Sequence, residues 1–199
     1  MHKSYALLWA ACALLLFSSA SAISAQVVPA ATLPHINLSF GAGLTSWDPD
    51  WGNGRMLGVT AWGDFHPALP SYLSGLGVEL EARDVDWHRD NQPANYRQAT
   101  IGGGPIYTFT GFRIAQPYAK FLVDYAGMNF RVPDTAYTHD TRTAYVPGGG
   151  VEARACRNVW VRLDYEYQIW QPLIVPDKRP TPQGFTLGLI WKIGQPGRR

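Results

Sequence analysis

Twelve charged side chains stand at alternate positions of otherwise apolar segments: Asp64, Glu79, Glu81, Arg83, Lys120, Asp124, Glu152, Arg154, Arg162, Asp164, Glu166 and Lys192. Both signs occur on successive segments, so the chemistry on offer is ion pairing. In VWVRLDYEYQIW (159–170), Val159, Val161, Leu163, Tyr165, Tyr167 and Ile169 alternate with Arg162, Asp164, Glu166 and Gln168 among the residues between them. A period of two places the two sets on opposite faces of a β-strand. Arg154 with Asp164 or Glu166 is an expected pair across adjacent antiparallel strands.

Other residues invite a catalytic reading. A serine nucleophile needs a base beside it. No serine follows Ser74, and of Ser46, Ser71 and Ser74 only Ser46 falls at the end with the long connections, where His88 or His139 could meet it. The run DVDWHRD holds Asp84, Asp86, His88 and Asp90, the residue types of an aspartate–histidine protease, but reads as a charged strand end and loop. His35, His66, His88 and His139 have no metal-ligand spacing. Cys156, beside Arg157, reads as an incidental thiol. WDPDW (Trp47, Asp48, Asp50, Trp51) could hold a sugar or a cation, and reads first as a loop folded over a rim. Pro172, Pro176, Pro180 and Pro182, with Asp177, Lys178 and Arg179, form a stiff candidate contact surface. No catalytic, cofactor-binding or metal-ligating residue is assigned.

The elements that must position the charges are eight predicted strands at 34–45, 55–66, 75–87, 96–109, 117–130, 144–156, 159–170 and 184–193. They are longer than the usual soluble strand of about five or six residues and close to the tilted membrane-strand length. Connections after the first, third, fifth and seventh strands are expected to be longer than the others, mainly at 131–143 and 171–183. That asymmetry belongs to up-and-down barrels with short turns on one side of a membrane and long loops on the other.

Which face sees water follows from the charges. An eight-stranded barrel is just wide enough for side chains to fill its interior, and buried ions must pair there. The opposite face carries almost no charge, with Tyr107, Tyr145, Tyr165, Tyr167 and Trp191 towards strand ends, where an aromatic girdle would lie. A soluble barrel would have to crowd that aromatic face into its interior. The reading is therefore all-β, an eight-stranded antiparallel up-and-down transmembrane β-barrel with charges inward.

Bulk properties agree. Of 199 residues 16% are charged and 13% aromatic, and the net charge of +2 gives no argument for nucleic acid. Residues 1–25 read as a signal peptide: His2 and Lys3, then the apolar YALLWAACALLLF, then small residues, with cleavage after Ala25 preferred to Ala22. Residues 26–199 form one barrel domain, with Cys156 the single cysteine and no disulfide.

The segments IGGGPIY (101–107), PYAKF (117–121), VPGGGVE (146–152), RLDYEY (162–167) and GFTLGL (184–189) resemble the small outer-membrane β-barrel family with the OmpA-like and OmpX-like porin fold. The resemblance implies a Gram-negative outer membrane, eight strands and both termini in the periplasm. It implies contact with outer-membrane lipids and lipopolysaccharide, and with the outer-membrane assembly machinery. Trp191-Lys192-Ile193 is followed by GQPGRR, a departure from the family's frequent aromatic end, and the chain is too short to add a peptidoglycan-binding domain. The function expected is a non-enzymatic barrel with an ion-paired, largely plugged lumen, a structural or adhesive role, no cofactor, and loops free to meet extracellular partners. The alternatives are a lipid A-modifying hydrolase or acyltransferase, which needs Ser and His to converge at the rim, and a soluble periplasmic lipocalin-like barrel.

Overall fold

The computed structural model describes residues 37–50, 54–87, 95–112, 114–131, 139–171 and 179–193. Alternating apolar and polar residues form β1 (Asn37–Asp48), β2 (Met56–His66), β3 (Leu76–Trp87), β4 (Asn95–Thr108), β5 (Ala115–Arg131), β6 (His139–Arg154), β7 (Val159–Tyr167), β8 (Ile169–Trp170) and β9 (Gln183–Ile193). Each pairs antiparallel with its neighbours, and β1 pairs with both β2 and β9. β7 and β8 both pair with β6 and are one strand interrupted at Gln168. The sheet is thus a closed barrel of eight strands, with every edge paired.

Walking the register from Leu44 through Val59, Asp84, Ala99 and Gly127 reaches Thr141 on β6. Walking the other way through Leu187 and Leu163 reaches Val151 on the same strand. The offset from 141 to 151, ten residues, is the barrel's shear, and it requires strands tilted by about 35–45°. Residues sharing a row therefore differ in height. The row climbs from β1 to β6, so apolar Leu44 and charged Asp84 share one row without sharing one depth.

Phe40, Leu44, Val59, Leu80, Ile101, Phe121, Tyr125, Leu163, Leu187 and Trp191 point outward and are exposed. Tyr107, Tyr145 and Tyr165 join them, and Tyr165 packs on Phe185 with ring centroids 4.9 Å apart. The soluble alternative fails here, because it required the aromatic face inside. The inward face carries the charges. It also carries Trp62, whose indole lies across Gly41 and Gly188; a Cβ at either glycine would collide with the ring.

Two expectations about the ends change. His139 and Asp140 belong to β6 rather than to a loop, because the ladder continues through Gly127↔Thr141, Met128↔Asp140 and Asn129↔His139. The connections at 49–55, 88–94 and 132–138 are consequently seven residues each, shorter than the nine at 67–75, which include a 3₁₀ turn at Ser71–Leu73. The expected asymmetry therefore rests on the last connection, 171–182, which at twelve residues is the longest. Below, the end with 67–75, 109–114 and 155–158 is the turn end, and the opposite one is the loop end. The 1–25 segment, His35, Trp51, His88, Asp90 and positions 172–178 lie outside the described residues.

Candidate functional site

The inward face of a strand pair offers one side chain every second residue, so neighbouring strands stack their charges in layers. The middle layer gathers around Lys120, which is fully buried. Its Nζ donates to Glu79 Oε1 at 2.8 Å, Glu81 Oε2 at 2.8 Å and Asp164 Oδ2 at 2.6 Å, and it also contacts Glu166. Arg83 lies on the loop-end side of this cluster. Its Nη2 donates to Glu81 Oε1 at 2.5 Å and to Glu166, its Nε donates to Thr60 Oγ1 at 3.1 Å, and its guanidinium stacks 4.1 Å from the Trp47 ring centroid. Thr60 in turn shares hydrogen bonds with Thr45, which meets Thr186 at 2.9 Å.

Arg162 lies on the turn-end side. Its Nε donates to Tyr118 Oη at 2.6 Å and its Nη2 to Glu79 Oε2 at 2.7 Å, while Nη1 stands 3.6 Å from Asp64 Oδ2. The Tyr118 and Trp62 rings flank its guanidinium at 4.3 and 4.8 Å. Three basic groups, Arg83, Lys120 and Arg162, thus face six buried carboxylates: Asp64, Glu79, Glu81, Asp124, Asp164 and Glu166. Glu81, Asp164 and Glu166 bring ligand oxygens within 4.8 Å of one another, but the Lys120 ammonium occupies the position a metal would take among them.

Glu152 and Lys192 pair separately at the turn end, at 2.5 Å, with Lys192 Nζ also donating to Gln116 Oε1 and lying over the Trp160 ring. Among the described residues Asp124 accepts only a long bond, 3.5 Å, from Gln168 Nε2. Arg154 does not join the network. The register sets Arg154 opposite Trp160 and Arg162 opposite Glu152, so Arg154 falls at the turn, exposed, and its Nε donates to the Cys156 carbonyl. The expected pair with Asp164 or Glu166 is replaced by that contact, because pairing assigned without the register was displaced along the strand.

The loop end is apolar. Trp47, Met56 and Val85 form one buried cluster, and Leu122, Ala126, Met128, Ala144, Val146 and Trp170 another, with Tyr96 packed against both. A polar chain crosses them: Trp47 Nε1 donates to Gln98, Gln98 Nε2 to Gln168, and Trp170 Nε1 to Gln168. Trp47 of WDPDW is therefore a lumen residue. Asp50 accepts from the backbone N–H and hydroxyl of Thr181, which ties the first connection to the last. Alternation already sets Trp62 and Gln168 with the charged residues, and Gln98 falls within the strand expected at 96–109; the lumen role of Trp47 was missed because β1 runs past the expected end at 45.

The catalytic alternatives do not assemble among the described residues. Ser46 on β1 lies opposite Leu57 and Phe185, whereas His139 on β6 lies opposite Asn129 and its Nδ1 is 2.5 Å from Asn129 Oδ1. β9 and β7 separate the two strands on one side of the barrel. Asp84 pairs with Arg97 on the outside, and Cys156 is exposed and free.

A family model described as outer membrane protein beta-barrel domain matches residues 10–192. No curated protein sequence matches the chain. Among solved structures, neisserial surface protein A is similar at 12% identity and a TM-score of 0.62, covering 80% of this chain and 97% of that one. Ail, the attachment invasion locus protein of Yersinia pestis, is similar at 12% identity and 0.56, covering 81% and 100%. The N-terminal β-barrel domain of Pseudomonas aeruginosa OprF gives 14% identity and 0.50, with 81% and 100% covered.

Proposed function

The chain belongs to the outer membrane protein beta-barrel domain family and resides in the outer membrane; from that premise we propose that it is a non-enzymatic barrel whose lumen is closed by ion pairs and whose loop end meets surface partners. The observation that carries the closed lumen is Lys120, with no exposed side-chain surface and bonded to carboxylates on β3 and β7 at once. A charge held from opposite walls cannot be shifted without stranding its partners. The turn end faces the periplasm, as family members arrange it, and a signal peptide ending at Ala25 directs the chain there. Assembly machinery inserts it, and the apolar belt contacts lipid and lipopolysaccharide.

The surface role is adhesive. β5 and β6 stand highest on the loop end, and 132–138 is the sequence that joins them. Ail shares the fold and has been solved in complex with the heparin analogue sucrose octasulfate. Two measurements test the reading. The purified barrel in planar bilayers is expected to show no discrete conductance steps; stable steps would sink the closed lumen. Cells carrying the protein with 132–138 replaced by a short Gly-Ser turn are expected to lose adherence to glycan-coated surfaces while the barrel still shifts on heating in SDS gels. Unchanged adherence would leave the structural role alone.

A further inference from the structure

We propose that the barrel leans in the membrane, with the turns that hold Tyr72 and Phe112 immersed in the phospholipid of the leaflet at the turn end and the turn at 155–158 left in water. The inference rests on the membrane span and is independent of the adhesive reading. Tyr72 and Leu73 belong to the connection at 67–75, and Phe112 and Ile114 to the one at 109–114. Tyr72 and Ile114 are each 75% exposed, and Phe112 is 61% exposed. Large apolar side chains grouped and left uncovered mark a surface that meets an apolar partner.

That partner is lipid, because the patch continues the belt. Phe109 meets Tyr107 edge to face, with ring centroids 4.9 Å apart. The Thr108 N–H donates to the Gly75 carbonyl and the Phe109 N–H to the Pro117 carbonyl. Both turns therefore hang from strands whose outward residues, Val78 and Leu80 on β3 and Ile101 and Tyr107 on β4, already face outward as part of the apolar wall. Aromatic rings suit the boundary between hydrocarbon and headgroups.

The lean follows from the opposite wall. β3 and the interrupted strand β7–β8 are four places apart on the ring of eight, so they stand across the barrel from each other. On β3 and β4 the outward residues towards the loop end are polar, namely Asp84, Asp86 and Arg97. Across the barrel the order is reversed. The turn at 155–158 is Ala-Cys-Arg-Asn, exposed throughout, and exposed Arg154 precedes it. Outward Tyr165 and Ile169 carry the apolar surface of that wall to the loop end. Apolar turns alone would make one wall taller. Apolar turns with a polar opposite end instead shift that wall's belt towards the turns. Opposite walls shifted in opposite senses fit one flat bilayer when the axis tilts, with the β3 wall raised towards the loop end.

Nitroxide labels on the refolded full chain in phosphatidylcholine–phosphatidylglycerol vesicles test this by power-saturation electron paramagnetic resonance. One label sits on native Cys156, and the other on Phe112→Cys in a Cys156→Ser background; Tyr72→Cys serves if the first variant does not show the heat shift of a folded barrel. The ratio of collisions with oxygen to collisions with a water-soluble Ni²⁺ chelate is expected to favour oxygen at 112 and the chelate at 156. At the loop end the order should invert, with oxygen favoured at Ile169→Cys and the chelate at Asp86→Cys. Equal ratios at 112 and 156 would mean an upright barrel and overturn the proposal. So would a label at 112 that meets the chelate freely, which leaves the patch to a protein partner, or one shielded from both reagents, which places it against a second copy.

Discussion

Trp47 and Trp170 meet through Gln98 and Gln168 at one end of the lumen, while Asp64, Glu152 and Lys192 border a cavity at the other. The two ends are built from the same eight strands and the same alternation, yet one is packed and the other holds a cavity. The difference lies in residue polarity along the inward faces. Towards the loop end β2, β3 and β5 present Met56, Val85 and Met128; towards the turn end they present Asp64, Glu79 and Tyr118. Apolar side chains can fill space without partners, whereas charged ones leave gaps where their bonds must be met. A closed wall therefore does not make a uniform interior, and stability and access are divided between the ends.

The largest effect is expected where both halves meet. Lys120→Met strands Glu79, Glu81, Asp164 and Glu166 together, and breaking a buried pair by removing one partner costs about 3–5 kcal/mol. Urea unfolding of the barrel in lipid vesicles should show this loss, or no folded fraction at all. An unchanged midpoint would mean that the four carboxylates do not depend on the ammonium. Trp170→Ala probes the packed end. Truncating a buried Trp costs about 3–5 kcal/mol when the site cannot collapse, and the indole here also donates to Gln168. The lower part of that range is expected, because Trp170 stands near the mouth and water can enter. Tryptophan fluorescence quenching by acrylamide added from the loop side should rise for the remaining lumen tryptophans, and Lys192→Met at the far end should leave that quenching unchanged.

The fold was legible because alternation over roughly ten residues is a strong signal and closure follows once charges must face inward. Eleven of the twelve charges chosen on that basis do lie on the lumen side, Lys192 among them near the mouth, and Arg154 is the exception. Parity settles which face a residue takes; it does not settle depth. Arg154 shares its parity with Glu152, but two residues further along the strand is enough to leave the barrel. The same limit hid the start of β6, where His139, Thr141 and Thr143 are polar on the outside and read as loop. Only the ten-residue shear explains why Asn129 and His139 remain paired above the apolar belt. The Glu–Lys–Asp arrangement at Lys120 joins β3, β5 and β7 and needed their register through β4 and β6 as well, which no single segment encodes.

Lys192→Met tests the turn end and should cost less than either change above. Lys192 bonds Glu152 and Gln116, but its side chain is 11% exposed, and water can take over part of the solvation of Glu152. A loss of about 1–2 kcal/mol is expected, from a charge-assisted bond replaced by solvent. A loss as large as that of Lys120→Met would show that the turn end is as dry as the centre.

The smallest effect belongs outside the wall. Arg97 pairs with Asp84 at 2.5 Å on the outward face of β4 and β3, with side chains 57% and 43% exposed. Two charges in that setting gain little, because water and salt screen them, and such pairs contribute about 0–1 kcal/mol. Arg97→Ala is therefore expected to leave the unfolding midpoint in phospholipid vesicles almost unmoved, and any small loss should vanish at high salt. In vesicles containing lipopolysaccharide the same substitution becomes informative. Arg97 and Asp84 stand just above apolar Leu80 and Ile101 on their own strands, at the depth where an anionic headgroup begins. If the guanidinium exchanges Asp84 for a lipid phosphate there, the loss will exceed that in phospholipid. An equal loss in both would confine this pair to the wall's own surface, with the lumen alone carrying the barrel's electrostatic stability.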